Sequence, residues 1–356
     1  MLQEPPLPVR HDLTDVEPYV SPQIPARVRL NTNESPYPPP VDLLEEVFAA
    51  LAEHDLNRYP DRDANALTTA IAEHTGWPRD GVWPANGSNE VFLHLFLAFG
   101  GTSRKVMVFE PTYSLHSLIP RITGTQVVQM PRDENFEIDV DAAVDAIRRE
   151  KPAVIVVCSP NNPTGLCEPL PALKALVEEA PGLVVVDEAY GEFGEPDDSA
   201  MPLLADRPKV VIAKTLSKAW RLAGVRIGYL LAAPSIITAM ARVKLPYHLS
   251  TFTQLIGRGA LQRADEALRV VEAIKTERDR ISVELQAMGV RSWPSRANFV
   301  LFQTSGADAL WSALLERGVL VRNYAGAPGL EDCLRVTAGR AEETDEFLAA
   351  LREVLP

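Results

Sequence analysis

The stretch Lys214–Tyr229 reads KTLSKAWRLAGVRIGY and carries the densest chemistry in the chain. Lys218 lies just beyond the apolar run Val210–Ala213, with hydroxyls at Thr215 and Ser217 ahead of it and Arg226 eight residues after it. A lysine in that place can condense with an aldehyde, while the hydroxyls and the guanidinium hold a phosphate. Taken alone, the stretch also reads as a strand end followed by a helix with solvated basic residues.

Two other apolar runs end in polar residues of the matching kind. Cys158–Gly165 reads CSPNNPTG, which must turn sharply because proline lacks a donor and glycine permits positive φ, and the turn presents the side-chain amide of Asn162. The run VVVDEAYGEF puts Asp187 and Tyr190 at the same edge of a sheet. A carboxylate at the end of an apolar strand is costly unless a cation meets it, and a protonated pyridine nitrogen is such a cation. The expected cofactor is pyridoxal 5'-phosphate, with Asp187 keeping the ring an electron sink and Asn162 and Tyr190 donating toward its phenolic oxygen. Asp187 also reads as a helix N-cap with Glu188 in the first turn. Upstream, NGSNE opens a helix whose free amides at Ser88 and Asn89 can receive a phosphate. Tyr113, in EPTYSLH, follows another strand and either stacks on the cofactor ring or is simply packed.

The elements that must position these residues follow from periodicity. Apolar β-branched runs at Val106–Phe109, Val127–Met130, Ala153–Cys158, Leu183–Val186, Val210–Ala213 and Ile227–Ala232 alternate with helical segments such as Val140–Arg149 and Leu170–Glu179. Strands of that texture are buried on both faces, so the expected architecture is α/β with a mostly parallel sheet between helices, binding ligands beyond its carboxyl strand ends. Residues 1–40 are proline-rich and aperiodic and are expected to form an extended arm rather than a packed element, lying on a smaller domain or a partner subunit. Residues 41–248 are assigned to a large cofactor-binding domain and 249–356 to a small α+β domain. The latter has a helical region over 251–288, strands at Phe299–Phe302, Val319–Arg322 and Cys333–Thr337, and helices at 307–317 and 342–354.

Of the 356 residues, 46% are hydrophobic and 23% charged, which excludes disordered and fibrous classes. The net charge of −13 argues against nucleic acid as a partner, since phosphate neutralisation needs a basic face. Six dispersed histidines and three scattered cysteines suggest neither a metal site nor a disulfide framework. No signal peptide or membrane span is read, so a cytoplasmic protein acting on small molecules is expected.

In this order and spacing, Asn162, Asp187, Tyr190, Lys218 and Arg226 resemble those of the fold-type I aminotransferases, over nearly the whole chain. Within that superfamily the chain is most similar to the class II histidinol-phosphate aminotransferase family. The likeness rests on EPY ending at Tyr19, RLNTNESP (Arg29–Pro36), RYPDRDA (Arg58–Ala64), LPYHLS (Leu245–Ser250), ANFVLF (Ala297–Phe302), and the pair VLVRN and CLRVTAG. The resemblance implies a homodimer in which Tyr59 of one subunit reaches the cofactor phosphate of the other. It further implies a substrate groove lined by Tyr19, Asn33, Arg322 and Arg335, the arginines gripping a phosphate or carboxylate through bidentate forks. Lys218 then anchors the cofactor and shuttles a proton, with Asp187 and Tyr190 tuning the ring. The implied reaction passes the amino group of L-histidinol phosphate to 2-oxoglutarate. An aromatic amino acid aminotransferase and a phospho-amino-acid decarboxylase fit the same cofactor residues. A ligand-sensing domain of a transcription regulator would need a basic helix-turn-helix, which the arm does not supply. Asn89 stands where many relatives carry aspartate, of little consequence if the backbone binds the phosphate. Whether Arg340 adds charge to the pocket is left open.

Overall fold

The β-branched runs form strands whose successive side chains enter two different cores, as the two-residue period of a strand requires. Ile155 and Val157 pack into one core and Val154 and Val156 into the other, and Val184 and Val186 part from Val185 in the same way. A computed structural model of the protein describes residues 8–14, 16–18 and 23–355. Its strands are β1 (Val28–Leu30), β2 (Val82–Ala85), β3 (Lys105–Glu110), β4 (Gln126–Pro131), β5 (Val154–Cys158), β6 (Leu183–Asp187), β7 (Val210–Thr215), β8 (Gly228–Leu231), β9 (Arg291–Ser292), β10 (Phe299–Gln303), β11 (Val319–Asn323) and β12 (Cys333–Thr337). Its helices are α1 (Val41–Ala52), α2 (Asn65–Thr75), α3 (Gly87–Phe99), α4 (Leu115–Ile122), α5 (Val140–Glu150), α6 (Leu170–Glu179), α7 (Met201–Asp206), α8 (Pro234–Met240), α9 (Thr251–Leu261), α10 (Ala264–Ala287), α11 (Ala307–Glu316) and α12 (Ala341–Val354).

Seven strands form one sheet in the order β2-β8-β7-β6-β5-β3-β4. Strands β3 to β7 pair in parallel, while β8 is antiparallel to β7 and β2 antiparallel to β8. Helices cover both faces, so the sheet is the α/β layer expected from the sequence. Five further strands make a second sheet in the order β1-β11-β12-β10-β9. Phe299 and Phe302 on β10, and Phe347 on α12, are fully buried in its core; removing such a ring costs about 3–5 kcal/mol.

The structure departs from expectation in three places. Val28–Leu30, expected within an extended arm, is a packed strand: Val28 and Leu30 are buried, and the segment pairs in parallel with β11. Two apolar residues on one face suffice once a partner strand offers its edge. The helical region over 251–288 is two helices, interrupted at Gln262 and Arg263. Strand β2 carries Pro84, tolerated because β2 is the outer strand of its sheet. Among the described residues no helix is long and apolar enough to cross a membrane.

Candidate active site

Several chain turns converge on one cavity of about 500 Å³. Parallel β5, β6 and β7 bring their carboxyl ends, at Cys158, Asp187 and Thr215, to one edge of the sheet. Antiparallel β8 begins at that edge, where Gly228 pairs with Thr215, and β2 ends there, where Ala85 pairs with Gly228. The loops after β2, β5, β6 and β7 and the turn before β8 therefore face one space, the usual ligand position in such a sheet.

Lys218 lines this cavity, and its Nζ donates to the carbonyl of Thr32 at 3.1 Å. Burial pushes its amine down to about 8, the positive charge of Arg335 and then of Arg226 adding to the shift while Glu34 opposes it. The result is an amine that is partly neutral near physiological pH, as condensation with a carbonyl needs.

Asp187 closes one end of the cavity and is 2% exposed. Its Oδ2 lies 2.8 Å from His116 Nε2, and its Oδ1 accepts from the Ala189 amide at 3.1 Å. His116, Cys158 and Asp187 bring ligand-type atoms within 4.8 Å of one another, the one such group among the described residues. Burial pushes the Cys158 thiol well above its ordinary range and the carboxylate already has two partners, so the trio reads as a hydrogen-bonded carboxylate, not an open metal site.

An anion cradle sits beside Lys218. Helix α3 opens at Gly87, so the amides of Ser88 and Asn89 lie in its first turn, where N–H groups have no partner within the helix. The Asn86 backbone and side-chain amides donate to Glu90 Oε2 at 2.6 and 2.9 Å, fastening this turn. The Arg226 guanidinium donates to Ser217 Oγ at 3.1 Å and to the Ala223 carbonyl at 3.0 Å, and Thr215 Oγ1 accepts from the Ser217 amide at 3.1 Å. Glycine is required here: a Cβ on Gly228 would stand 2.4 Å from the backbone nitrogen of Ser88, and Gly87 adopts a left-handed φ of 79°.

From the second sheet, Arg322 and Arg335 face each other across β11 and β12 and line the same cavity. Arg335 is 4% exposed; it donates to Asn162 Oδ1, to Tyr324 Oη at 3.0 Å and to the Asn31 carbonyl at 2.9 Å, and its Nε is buried without a partner. The Tyr324 ring lies under both guanidinium groups, 5.6 Å from Arg322 and 5.5 Å from Arg335. Tyr190 Oη accepts from Asn33 Nδ2 at 2.9 Å, and the Tyr190 ring stands edge-on to Phe299. Tyr113 stands edge-on to His116 with its hydroxyl 3.4 Å from Asn89 Oδ1.

Of the residues expected from the sequence, Ser88, Asn89, Tyr113, Asn162, Asp187, Tyr190, Thr215, Ser217, Lys218, Arg226, Asn33, Arg322 and Arg335 all line the cavity. Tyr19 lies outside the described residues. Tyr59 is 79% exposed, does not line the cavity, and stacks on Tyr247 at 4.4 Å. Arg340 is also away from it, donating to the Pro36 carbonyl over the Tyr37 ring. His116 and Tyr324 were not foreseen. His116 follows Tyr113 by three residues, and Tyr324 follows Arg322 by two, the spacings that place side chains together on a helical turn and on a strand.

The donor set fits the cofactor expected from the sequence. Asp187 offers a buried carboxylate to a ring nitrogen, the cradle offers amides, hydroxyls and a guanidinium to a phosphate, and the lowered amine of Lys218 lines the same cavity. A second cleft of about 550 Å³, walled in part by Phe136, Arg291 and Trp293, is lined by no lysine, and its buried Arg132 is paired with Glu168.

A family model described as aminotransferase class I and II matches residues 26–351. The histidinol-phosphate aminotransferase of Frankia casuarinae is 47% identical over 98% of this chain and 90% of its own length, and that of Thermobifida fusca is 47% identical over 97% and 95%. The crystal structure of histidinol-phosphate aminotransferase from Sinorhizobium meliloti in complex with pyridoxal-5'-phosphate matches with a TM-score of 0.85 at 27% identity, covering 93% of this chain and 91% of that one. With a buried lysine, an anion cradle and a paired carboxylate at one sheet edge, and with these matches along almost its full length, the chain belongs to the class I and II aminotransferases.

Proposed function

We propose that this aminotransferase binds pyridoxal 5'-phosphate and passes the amino group of L-histidinol phosphate to 2-oxoglutarate, giving imidazole-acetol phosphate and L-glutamate. The observation that carries the reading is Lys218, a buried amine lowered to about 8 that lines one cavity together with the buried carboxylate of Asp187, the Ser88–Arg226 cradle and the two arginines of β11 and β12. Relatives 47% identical that bear the name histidinol-phosphate aminotransferase support the choice of substrate.

When bound, the cofactor supplies an electrophilic carbonyl and an electron sink for the charge that develops at the substrate Cα. Asp187, steadied by His116 and the Ala189 amide, holds a proton on the pyridine nitrogen. Asn162 and Tyr190 donate to the phenolic oxygen. The amides of Ser88 and Asn89, the hydroxyls of Thr215 and Ser217, and Arg226 hold the phosphate, and Tyr113 covers the ring. Lys218 Nζ, once released from the cofactor's carbonyl carbon, would act as the base that takes the proton from the substrate Cα and returns it to the carbon on the far side of the amino nitrogen. Arg322 and Arg335 bind the substrate's phosphate or the carboxylate of 2-oxoglutarate; Tyr19 is assigned to the same groove, which Asn33 lines.

The active unit is proposed to be a cytoplasmic homodimer, with Tyr59 of the partner subunit reaching the phosphate. Residues 41–248 are proposed as its large unit and 249–356 as its small one, to which β1 adds a strand.

Lys218→Ala should lose all turnover and the visible absorbance of the loaded protein while keeping the far-ultraviolet circular dichroism; parent-level turnover would sink the proposal. Mixed separately with L-histidinol phosphate, phenylalanine and aspartate, the loaded protein should lose its visible band fastest with the first. Fastest conversion of phenylalanine would replace this substrate by an aromatic amino acid.

A further inference from the structure

We propose that Asn33 is a positioning residue that fixes the direction in which the Tyr190 hydroxyl presents its proton, and is not itself a ligand of the substrate. The inference rests on the reading of Tyr190 given above, and it comes from the closed set of hydrogen bonds around one amide. Asn33 is 1% exposed and adopts a left-handed backbone with φ of 57°, which asparagine tolerates better than most residues. Its backbone N–H donates to Thr337 Oγ1 at 3.1 Å, and its carbonyl accepts from Asn298 Nδ2 at 3.1 Å. The Thr337 hydroxyl has received one proton there and has its own to give, which goes to Asn33 Oδ1 at 3.0 Å. With Oδ1 committed to Thr337, the amide can turn only its nitrogen toward Tyr190, and Nδ2 donates to Tyr190 Oη at 2.9 Å.

The consequence falls on Tyr190. A hydroxyl oxygen that accepts from an amide still has its own proton, and the neighbouring amide nitrogen cannot take it. That proton is left to point into the cavity, which Tyr190 lines and where an acceptor oxygen is expected. Burial pushes the Tyr190 phenol up, and the charge of Arg335 and the Asn33 hydrogen bond both oppose the shift. Thr337 lies two residues from Arg335 on β12, so the strand that carries the substrate-side guanidinium also sets the tyrosine's polarity.

Two substitutions test the relay. Asn33→Gly removes the amide and accepts the positive φ, and Asn33→Asp keeps the shape but offers an acceptor where the donor stood. With 3,5-difluorotyrosine at position 190, the phenol ionises at lower pH than tyrosine and can be followed by absorbance in protein free of cofactor. Asn33→Gly should raise the midpoint by about one pH unit, and Asn33→Asp by more, because a lost donor and an added carboxylate both disfavour the phenolate. An unmoved midpoint in both variants overturns the inference, whether or not the chain binds pyridoxal phosphate. In loaded enzyme, Asn33→Gly should lower kcat about tenfold with KM for L-histidinol phosphate changed less than about twofold, the loss of roughly one hydrogen bond. Added to Tyr190→Phe it should weaken cofactor affinity no further. A tenfold higher KM with unchanged kcat would make Asn33 a substrate ligand and overturn the inference. Failure of the parent protein to take up the cofactor would instead sink the reading of the site, with the absorbance titration still deciding the relay.

Discussion

An ammonium group buried beside guanidinium groups loses its proton at lower pH than one in water, and Lys218 is so placed. The rate at which cofactor-free protein takes up pyridoxal phosphate should therefore climb about tenfold per pH unit on the acid side and level off near pH 8. Stopped-flow absorbance measures it directly. Arg335→Met, by removing the positive charge that acts most strongly on Lys218, should move that midpoint upward. The same change should raise KM for L-histidinol phosphate far more than it lowers cofactor affinity, by about 2–4 kcal/mol of lost charge-assisted hydrogen bonding. Equal losses in both would assign Arg335 to structure. The side chains of this site were legible wherever a polar residue ended an apolar run, as at Asp187 and Lys218. His116 was not, because its role depends on α4 laying it beside a carboxylate 71 residues further along the chain.

Glycine at the start of β8 lets two elements meet. Gly228 approaches the Ser88 amide so closely that an added methyl would stand 2.4 Å away, against backbone that cannot swing aside. Gly228→Ala should part β8 from the first turn of α3, weakening cofactor binding at least tenfold and destabilising the fold by about 1–3 kcal/mol. Equilibrium titration with the cofactor and thermal unfolding would separate the two effects, and an unchanged affinity would remove the cradle from its assigned role. Most of the parallel strands were readable because they are buried on both faces. Strand β2 was not, since Pro84 argues against a strand until its outer position is known. The break at Gln262 and Arg263 carries neither glycine nor proline, and nothing in the periodicity marks it.

On the surface of the whole molecule, Phe48, Leu56, Tyr59 and Leu245 are 58%, 66%, 79% and 72% exposed. The turn that holds Tyr59 is tied to the 244–254 segment by the Tyr59–Tyr247 stack, by Lys244 to Asp63, and by Gln254 to the Asp61 carbonyl. Tyr59 and Leu245 therefore lie exposed on two segments that are tied together, a surface suited to the homodimer proposed above. Under the proposed homodimer, Leu245→Asp should give single chains by sedimentation and, with the partner's tyrosine gone, lower cofactor affinity about tenfold. Single chains that keep full affinity would show that Tyr59 plays no part in the other subunit's site. The chain's ends are joined as well: β1 pairs with β11, about 290 residues away in sequence, and the residues just after β1 supply the carbonyls that meet Lys218 and Arg335. During synthesis, then, the seven-stranded sheet and Lys218 exist well before the wall that faces them. Its Thr32 carbonyl waits for β11 to anchor β1, and Arg335 arrives later still, so a nascent chain presents a solvent-open lysine and becomes selective only once β12 has emerged.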